Sequence, residues 1–386
     1  MTQPPENEMI DNSTDYATPS GTLGFRKRFE GSPQIAEGHF RFGADGLSLS
    51  SLGMGTYLGA PDAATSAQIT AAAVESVSRG AINVLDTAIN YRHQLSEKAL
   101  GLALQELEEK HDIHRNELFI CTKAGFLSPD AEQHSSREAF HAWFQEHYID
   151  SGMIKPSDII GGMHCMAPGY LRDQINISRN NLGVKTLDLF YLHNAIESQM
   201  PEIGYEKMTE KLMDAFEVLE QARADRHIRY YGLATWNCFR TSKEDSNEYF
   251  NLETLVKLAE TVGGEAHGLR YIQVPFNLAF TEALTMEEQT VEGEPMSLFE
   301  AAPSLGINVV TNVPLLQGQL LGESRLPQFK GLTTPAQNCL QFARSQAGVL
   351  TTLVGQKSLA HINENLHVAS IPPLELSDME DQLAKR

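Results

Sequence analysis

Cysteine is scarce in this chain. Its 386 residues hold four, at Cys121, Cys165, Cys238 and Cys339, scattered and without a Cys-x-x-Cys pair. That spacing argues against a disulfide-stapled fold and against zinc, and it reads as reduced thiols of a cytoplasmic protein. Positive charge is also in short supply. Lys and Arg number 30 against 50 Asp and Glu, a formal net charge of -20. So acidic a chain does not suit nucleic acid or an anionic membrane as main partner, and an anionic ligand would need a locally basic pocket. There is no apolar run of about 18 residues, so no membrane-spanning helix is expected. Residues 1–20 lack the apolar stretch of a signal peptide. No Gly-x-Gly-x-x-Gly turn follows the first predicted strand, which counts against a Rossmann domain.

What is present is a repeat of short buried strands and amphipathic helices. Residues 1–22, rich in Pro, Asn, Ser, Thr and Glu, read as a disordered tail. The remaining 23–386 read as one domain. Alternating segments at 39–42 and 47–50 flank Gly43-Ala44-Asp45-Gly46, a hairpin signal. Strands are then predicted at 52–56, 83–86, 118–123, 187–193, 228–233, 271–274, 307–311 and 349–354. Helical periodicity runs over 65–78, 95–109, 170–182, 207–224, 252–262, 297–305, 334–346 and 358–366, with Ser96 a candidate N-cap. Eight such units predict an α/β fold: a (β/α)8 TIM barrel with an N-terminal β-hairpin. One unit is expanded by a long insertion after the third strand, 124–168, expected over the catalytic face. Its Phe126, Phe140, Trp143, Phe144 and Tyr148 suit a small helical core or a pocket wall. Its His134, His141, His147 and His164 match no zinc spacing and read as surface or packing histidines.

Three strand ends carry chemistry. Asn83-Val84-Leu85-Asp86 ends in a carboxylate, with Tyr91 five residues on. Leu118-Phe119-Ile120-Cys121-Thr122-Lys123 ends in an ammonium, and Leu187-Asp188-Leu189-Phe190-Tyr191-Leu192-His193 in an imidazole. In a parallel barrel these ends share one face. Together, Asp86-Thr87-Ala88 with Tyr91, Ser96-Glu97 and Leu100-Gly101, then Thr122-Lys123, then Asp188 to His193, resemble the motifs of the aldo-keto reductases. The resemblance covers roughly 49–366 apart from the insertion.

Reducing a carbonyl needs a hydride donor and an acid for the developing alkoxide. Tyr91 is the expected general acid, and a neighbouring Lys123 ammonium is expected to lower its phenol pKa. Asp86 would hold Lys123, and His193 would orient the carbonyl oxygen of the substrate. The resemblance implies the same four roles. It also implies cofactor contacts. Gln273 matches the carboxamide ligand, and Val354-Gly355-Gln356-Lys357-Ser358 matches the segment where a strand enters a helix facing the adenosine phosphate. Lys357 falls where a 2′-phosphate ligand sits, favouring NADPH, and His361 falls where other members carry Arg or Gln. Glu364 and Asn365 match the adenine-contacting pair. Two positions depart from the family. Ala234-Thr235 replaces a Ser-Asn pair, and Asn312 stands where an aromatic stacks on the nicotinamide; Trp236 is either a substitute aromatic wall or core. The reading is an NADPH-dependent oxidoreductase reducing an aldehyde or ketone. Its alternative is a nicotinamide-nucleotide-binding sensor or partner subunit with little turnover, a use the resemblance allows through the potassium-channel beta subunits. Substrate and oligomeric state stay open.

Overall fold

The computed structural model describes residues 14–244, 246–323 and 325–375. Eight parallel strands close into a barrel: β1 (Leu52–Gly55), β2 (Val84–Asp86), β3 (Phe119–Ala124), β4 (Leu187–His193), β5 (Ile228–Ala234), β6 (Leu269–Pro275), β7 (Asn308–Asn312) and β8 (Val349–Gly355). The strands read as nearly continuous apolar runs because both faces are covered. Inward side chains such as Val84, Phe119, Leu189, Tyr271 and Val310 fill the barrel, and outward ones meet the helices.

Register decides which side chains reach the rim. Asp86 pairs with Gly55 on one side and Cys121 on the other. Lys123 is opposite Tyr191, while His193, Ala234 and Gln273 lie on one rung across β4, β5 and β6. Gly55 faces Gly355 where the barrel closes. The strand ends that carry chemistry therefore converge at the C-terminal mouth.

The opposite mouth is plugged by the antiparallel hairpin Phe40–Phe42 and Ser48–Ser50. At its turn the Asp45 carboxylate accepts from the Leu47 amide at 3.2 Å and from the Tyr271 hydroxyl inside the barrel. Gly46, at φ +80, supplies the left-handed residue that this turn needs.

The expectation of a tail over 1–22 is corrected for its described part. Residues 14–18 lead into a helix, Pro19–Phe29, capped by the Thr18 hydroxyl, which accepts from the Gly21 amide at 2.9 Å. The cause is tertiary. The buried Asp188 carboxylate accepts from the Ala17 amide at 2.6 Å, from the Ile120 amide at 2.8 Å and from Arg115 at 2.6 Å. One motif residue thus ties the N-terminal segment to the barrel. The first thirteen residues of the expected tail lie outside the described residues.

The segment 124–168 builds a small unit of its own. Its helix Arg137–Phe144 and the turn after it bring Phe140, Phe144 and Tyr148 against Tyr170. A two-stranded ribbon, Ile159–Ile160 with His164–Cys165, returns the chain to the barrel.

Candidate active site

The cavity at the C-terminal mouth has a volume of about 500 Å³ and is lined by Asp86, Tyr91, His193, Gln273 and Gly355, among others. Lys123, fully buried, lies beneath it. Its ammonium donates to Asp86 Oδ1 and, at 2.8 Å, to the Thr87 carbonyl. Gln273 Nε2 donates to Asp86 Oδ2 at 2.8 Å. Both carboxylate oxygens accept N–H donors, so the pair is an ammonium and a carboxylate. Lys123 Nζ sits 5.0 Å from the Tyr91 ring centroid, and the Tyr91 and His193 rings meet edge-on at 5.7 Å. The four residues expected to act together are therefore neighbours.

Tyr91 is presented by a strained turn. Arg92, His93 and Gln94 have φ of 50, 54 and 72. Three successive non-glycine residues in the left-handed region cost roughly 1–2 kcal/mol each. Arg92 holds them by donating to the Ala60 carbonyl at 2.8 Å and to the Asp62 carbonyl at 2.9 Å. The helix that follows starts at Leu95 with Gln94 as its cap residue. Ser96 is not the cap, because its hydroxyl donates to the Thr56 carbonyl at 2.9 Å.

Electrostatics correct one expectation. Desolvation raises the Tyr91 phenol above its ordinary 10.0, and the counter-pull of Lys123 does not overcome it. Burial works against the charge on Lys123, yet Asp86 and then Tyr91 outweigh it and hold the ammonium above its ordinary value. His193 is pushed well below 6.5, first by burial and then by the Lys123 charge, so it stays neutral at physiological pH.

Of the expected nucleotide residues, Gln273 and Gly355 line the cavity, whereas Lys357, His361, Glu364 and Asn365 lie on the adjoining turn and helix. Asn365 is buried, and its Nδ2 donates to Gln356 Oε1 at 3.1 Å, so its amide is turned into the protein. The departures are also visible. Asn312 lines the cavity and donates to Gln273 Oε1 at 3.1 Å, while its own Oδ1 has no partner. Trp236 is 36% exposed on the cavity wall, so it is an aromatic face and not core.

Two residues have roles that the sequence reading does not assign: Glu197 is not singled out there, and His164 is read as a surface or packing histidine. Glu197 Oε1 accepts from the Thr235 hydroxyl and from the amides of Trp236 at 2.8 Å, Asn237 at 2.7 Å and Cys238 at 3.0 Å. It is a carboxylate set in a backbone nest that locks the loop bearing Trp236. His164, from the insertion, touches the backbone of His193 at 2.8 Å. No local sequence signal marks either residue.

Buried neutral histidines make the fold acid-sensitive. His39 is fully buried, and burial and the Arg344 charge hold it down to about 3 from 6.5. Its unfolded form takes up a proton first, so this stability is complete above pH 6.5 and is lost as pH falls toward 3. The full loss is on the order of 5 kcal/mol. Urea unfolding at pH 7.5 and 5 should show a steeper acid decline for wild type than for His39→Gln; parallel declines would refute it.

A parallel barrel with a buried Lys–Asp pair, a tyrosine and a histidine gathered at its C-terminal mouth has the architecture of a (β/α)8 enzyme site. The chain belongs to the aldo/keto reductase family, whose model matches residues 51–250. D-threo-aldose 1-dehydrogenase of a Pseudomonas species is 30% identical over 194 residues, which is 50% of this chain and 52% of that protein. The chain thus spans about half the length of that curated relative. An aldo-keto reductase from Klebsiella pneumoniae in complex with NADPH superposes with a TM-score of 0.57 at 18% identity, covering 91% of this chain and 95% of the other. The glycerol dehydrogenase of Gluconobacter oxydans gives a TM-score of 0.57 at 18% identity, covering 91% and 96%. At those identities the structures bear on the fold.

Proposed function

We propose that this chain uses NADPH to reduce an aldehyde or ketone to an alcohol, with Tyr91 as general acid. One observation carries the reading: the Lys123 ammonium, paired with Asp86, lies 5.0 Å from the Tyr91 ring centroid beneath a cavity that His193 also lines. Tyr91 Oη gives its proton to the carbonyl oxygen. Lys123 offsets the phenolate charge that this leaves, and Asp86 keeps Lys123 in place. The neutral His193 donates an N–H to the same oxygen and orients it. NADPH, when bound, supplies the hydride to the carbonyl carbon. The residues fit such a group. Gln273 and the unpartnered Asn312 Oδ1 offer amide contacts, and Trp236 offers a ring face. Lys357 stands one residue before Ser358, the N-cap of the helix Leu359–Leu366 that carries His361, Glu364 and Asn365. The name of the Pseudomonas relative, a D-threo-aldose 1-dehydrogenase, supports redox chemistry on a sugar-like substrate. A cytoplasmic location suits the four buried cysteines, and no helix among the described residues is long and apolar enough to cross a membrane.

Titration with NADPH and NADH, followed by a carbonyl screen, tests the reading. Lys357→Ala should weaken NADPH about tenfold, the worth of one charge-assisted contact, and leave NADH unchanged. Equal loss for both cofactors would remove the 2′-phosphate role. The second reading, a nucleotide-binding partner subunit with little turnover, is favoured by one observation. The Thr235 hydroxyl is taken by Glu197, and Ala234 offers no side-chain donor in the place of the family's Ser-Asn pair. Tight NADPH binding without turnover on any carbonyl would select it.

A further inference from the structure

The insertion 124–168 reaches the candidate site at two rings, Phe126 and His164. His164 is completely buried, with Nε2 at 2.8 Å from the His193 carbonyl and Nδ1 at 2.8 Å from Gln199 Nε2. Burial holds it down to about 4, so the ring is neutral and carries one N–H. A carbonyl oxygen only accepts, so that N–H is on Nε2, and Nδ1 accepts from Gln199. The opposite tautomer would set a ring lone pair against the His193 carbonyl. Gln199 belongs to the helix Ala195–Ile203 that follows β4. His164 thus joins the insertion both to the end of β4 and to the helix after it.

The backbone is shaped for this contact. Gly125, at φ +149, leaves β3 directly against His164, and a β-carbon there would collide with Nε2. The Cys165 amide donates to the Gly125 carbonyl at 2.8 Å, and the Leu127 amide donates to the Met163 carbonyl at 2.9 Å. Between these bonds Phe126 bridges His164 as an antiparallel pair. The Phe126 ring meets His164 edge-on at 5.1 Å and His193 edge-on at 5.2 Å, and it lines the cavity. The His193 ring is therefore held between Tyr91 and Phe126.

We propose that His164 is a positioning residue that fixes the insertion as a rigid wall against His193, and that Phe126 on this wall selects which carbonyl compounds reach it. The selectivity half rests on the carbonyl-reductase reading. The wall itself does not, and its test needs no turnover.

Amide hydrogen exchange and ¹⁵N-histidine NMR on the full chain separate the two. In wild type the Leu127 and Cys165 amides should exchange about as slowly as that of Ile120 in β3. In His164→Leu their protection should fall about tenfold and the His193 ring signals should move, with Ile120 unchanged. His164→Gln, which keeps a donor near the Nε2 position, should restore most of both. On a substrate turned over by wild type, His164→Leu should lower kcat more than it alters KM, with rescue by His164→Gln. Phe126→Ala should raise kcat/KM for a bulky aryl ketone relative to acetaldehyde by about tenfold or more. Three results overturn the proposal: fast exchange of Leu127 and Cys165 in wild type, unchanged His193 signals in His164→Leu, or equal behaviour of the two His164 variants. Should His164→Leu not fold, the wild-type exchange rates and Phe126→Ala decide. Intact exchange and NMR results with no carbonyl turnover would count against the reductase reading alone.

Discussion

Tyr91→Phe should lower carbonyl reduction by about 10²–10⁴-fold, the range for removing a positioned general acid. The variant should keep its fold and its nucleotide affinity. The ring, not the hydroxyl, makes the edge-on contacts at 5.0 Å to Tyr57 and 5.7 Å to His193, and phenylalanine preserves both. The loss should therefore fall on kcat. A pH signature accompanies it. Desolvation keeps the phenol above 10.0 and His193 well below 6.5, so between those limits neither group changes charge. Reduction by wild type should be flat through neutral pH. Alcohol oxidation, which needs the phenolate, should rise with pH. Steady-state rates from pH 6 to 9 in both directions, with wild type and Tyr91→Phe, check this. A variant at wild-type rate would remove Tyr91 from the chemistry, whatever its position.

The barrel was legible because each strand is a short apolar run bounded by turn residues, and each helix beyond it has its own periodicity. That Asp86, Lys123 and His193 gather at one end of the barrel was legible for a related reason: each lies at or next to the C-terminal end of a buried parallel strand, and those ends share one face, with Tyr91 on the loop after Asp86. Gln273 and Gly355 also reach the cavity. What escaped depends on contacts distant in sequence. The N-terminal segment has the composition of a tail, but the Ala17 amide bonds to Asp188, 171 residues away. Ser96 has the chemistry of a cap, but the Thr56 carbonyl claims its hydroxyl. Glu197 bonds to a loop about forty residues on, and His164 to a carbonyl 29 residues on, so neither follows a helical or strand period. The Tyr91 phenol was misjudged in direction. Its neighbour Lys123 is visible in the motif, whereas the desolvation that outweighs it comes from the assembled pocket.

Lys123→Met should cost about 3–5 kcal/mol of stability at pH 7, the penalty for removing one partner of a buried ion pair. Lys123 and Asp86 are 0% and 4% exposed at the side chain, so no water replaces the lost ammonium. Among the described residues, Gln273 would still donate to the carboxylate. The sign of the pH dependence follows. In wild type burial already raises the Asp86 carboxyl above 3.8, against the pull of Lys123. Without Lys123 the folded form binds its proton more tightly still, and above pH 3.8 it then holds more protons than the unfolded chain. The variant should therefore lose stability as pH rises and recover as pH falls toward 4, relative to wild type. Asp86→Asn with Lys123→Met should regain most of the loss at pH 7, because a neutral amide needs no counter-charge and its oxygen still accepts from Gln273. Catalysis should not return in that pair, since no cation faces the phenolate left on Tyr91. Urea unfolding at pH 7 and 5 for wild type, the single variant and the double variant separates the cases. A single variant as stable as wild type would mean that Asp86 is not held as a buried carboxylate. A double variant no better than the single would mean that the loss came from side-chain packing and not from charge.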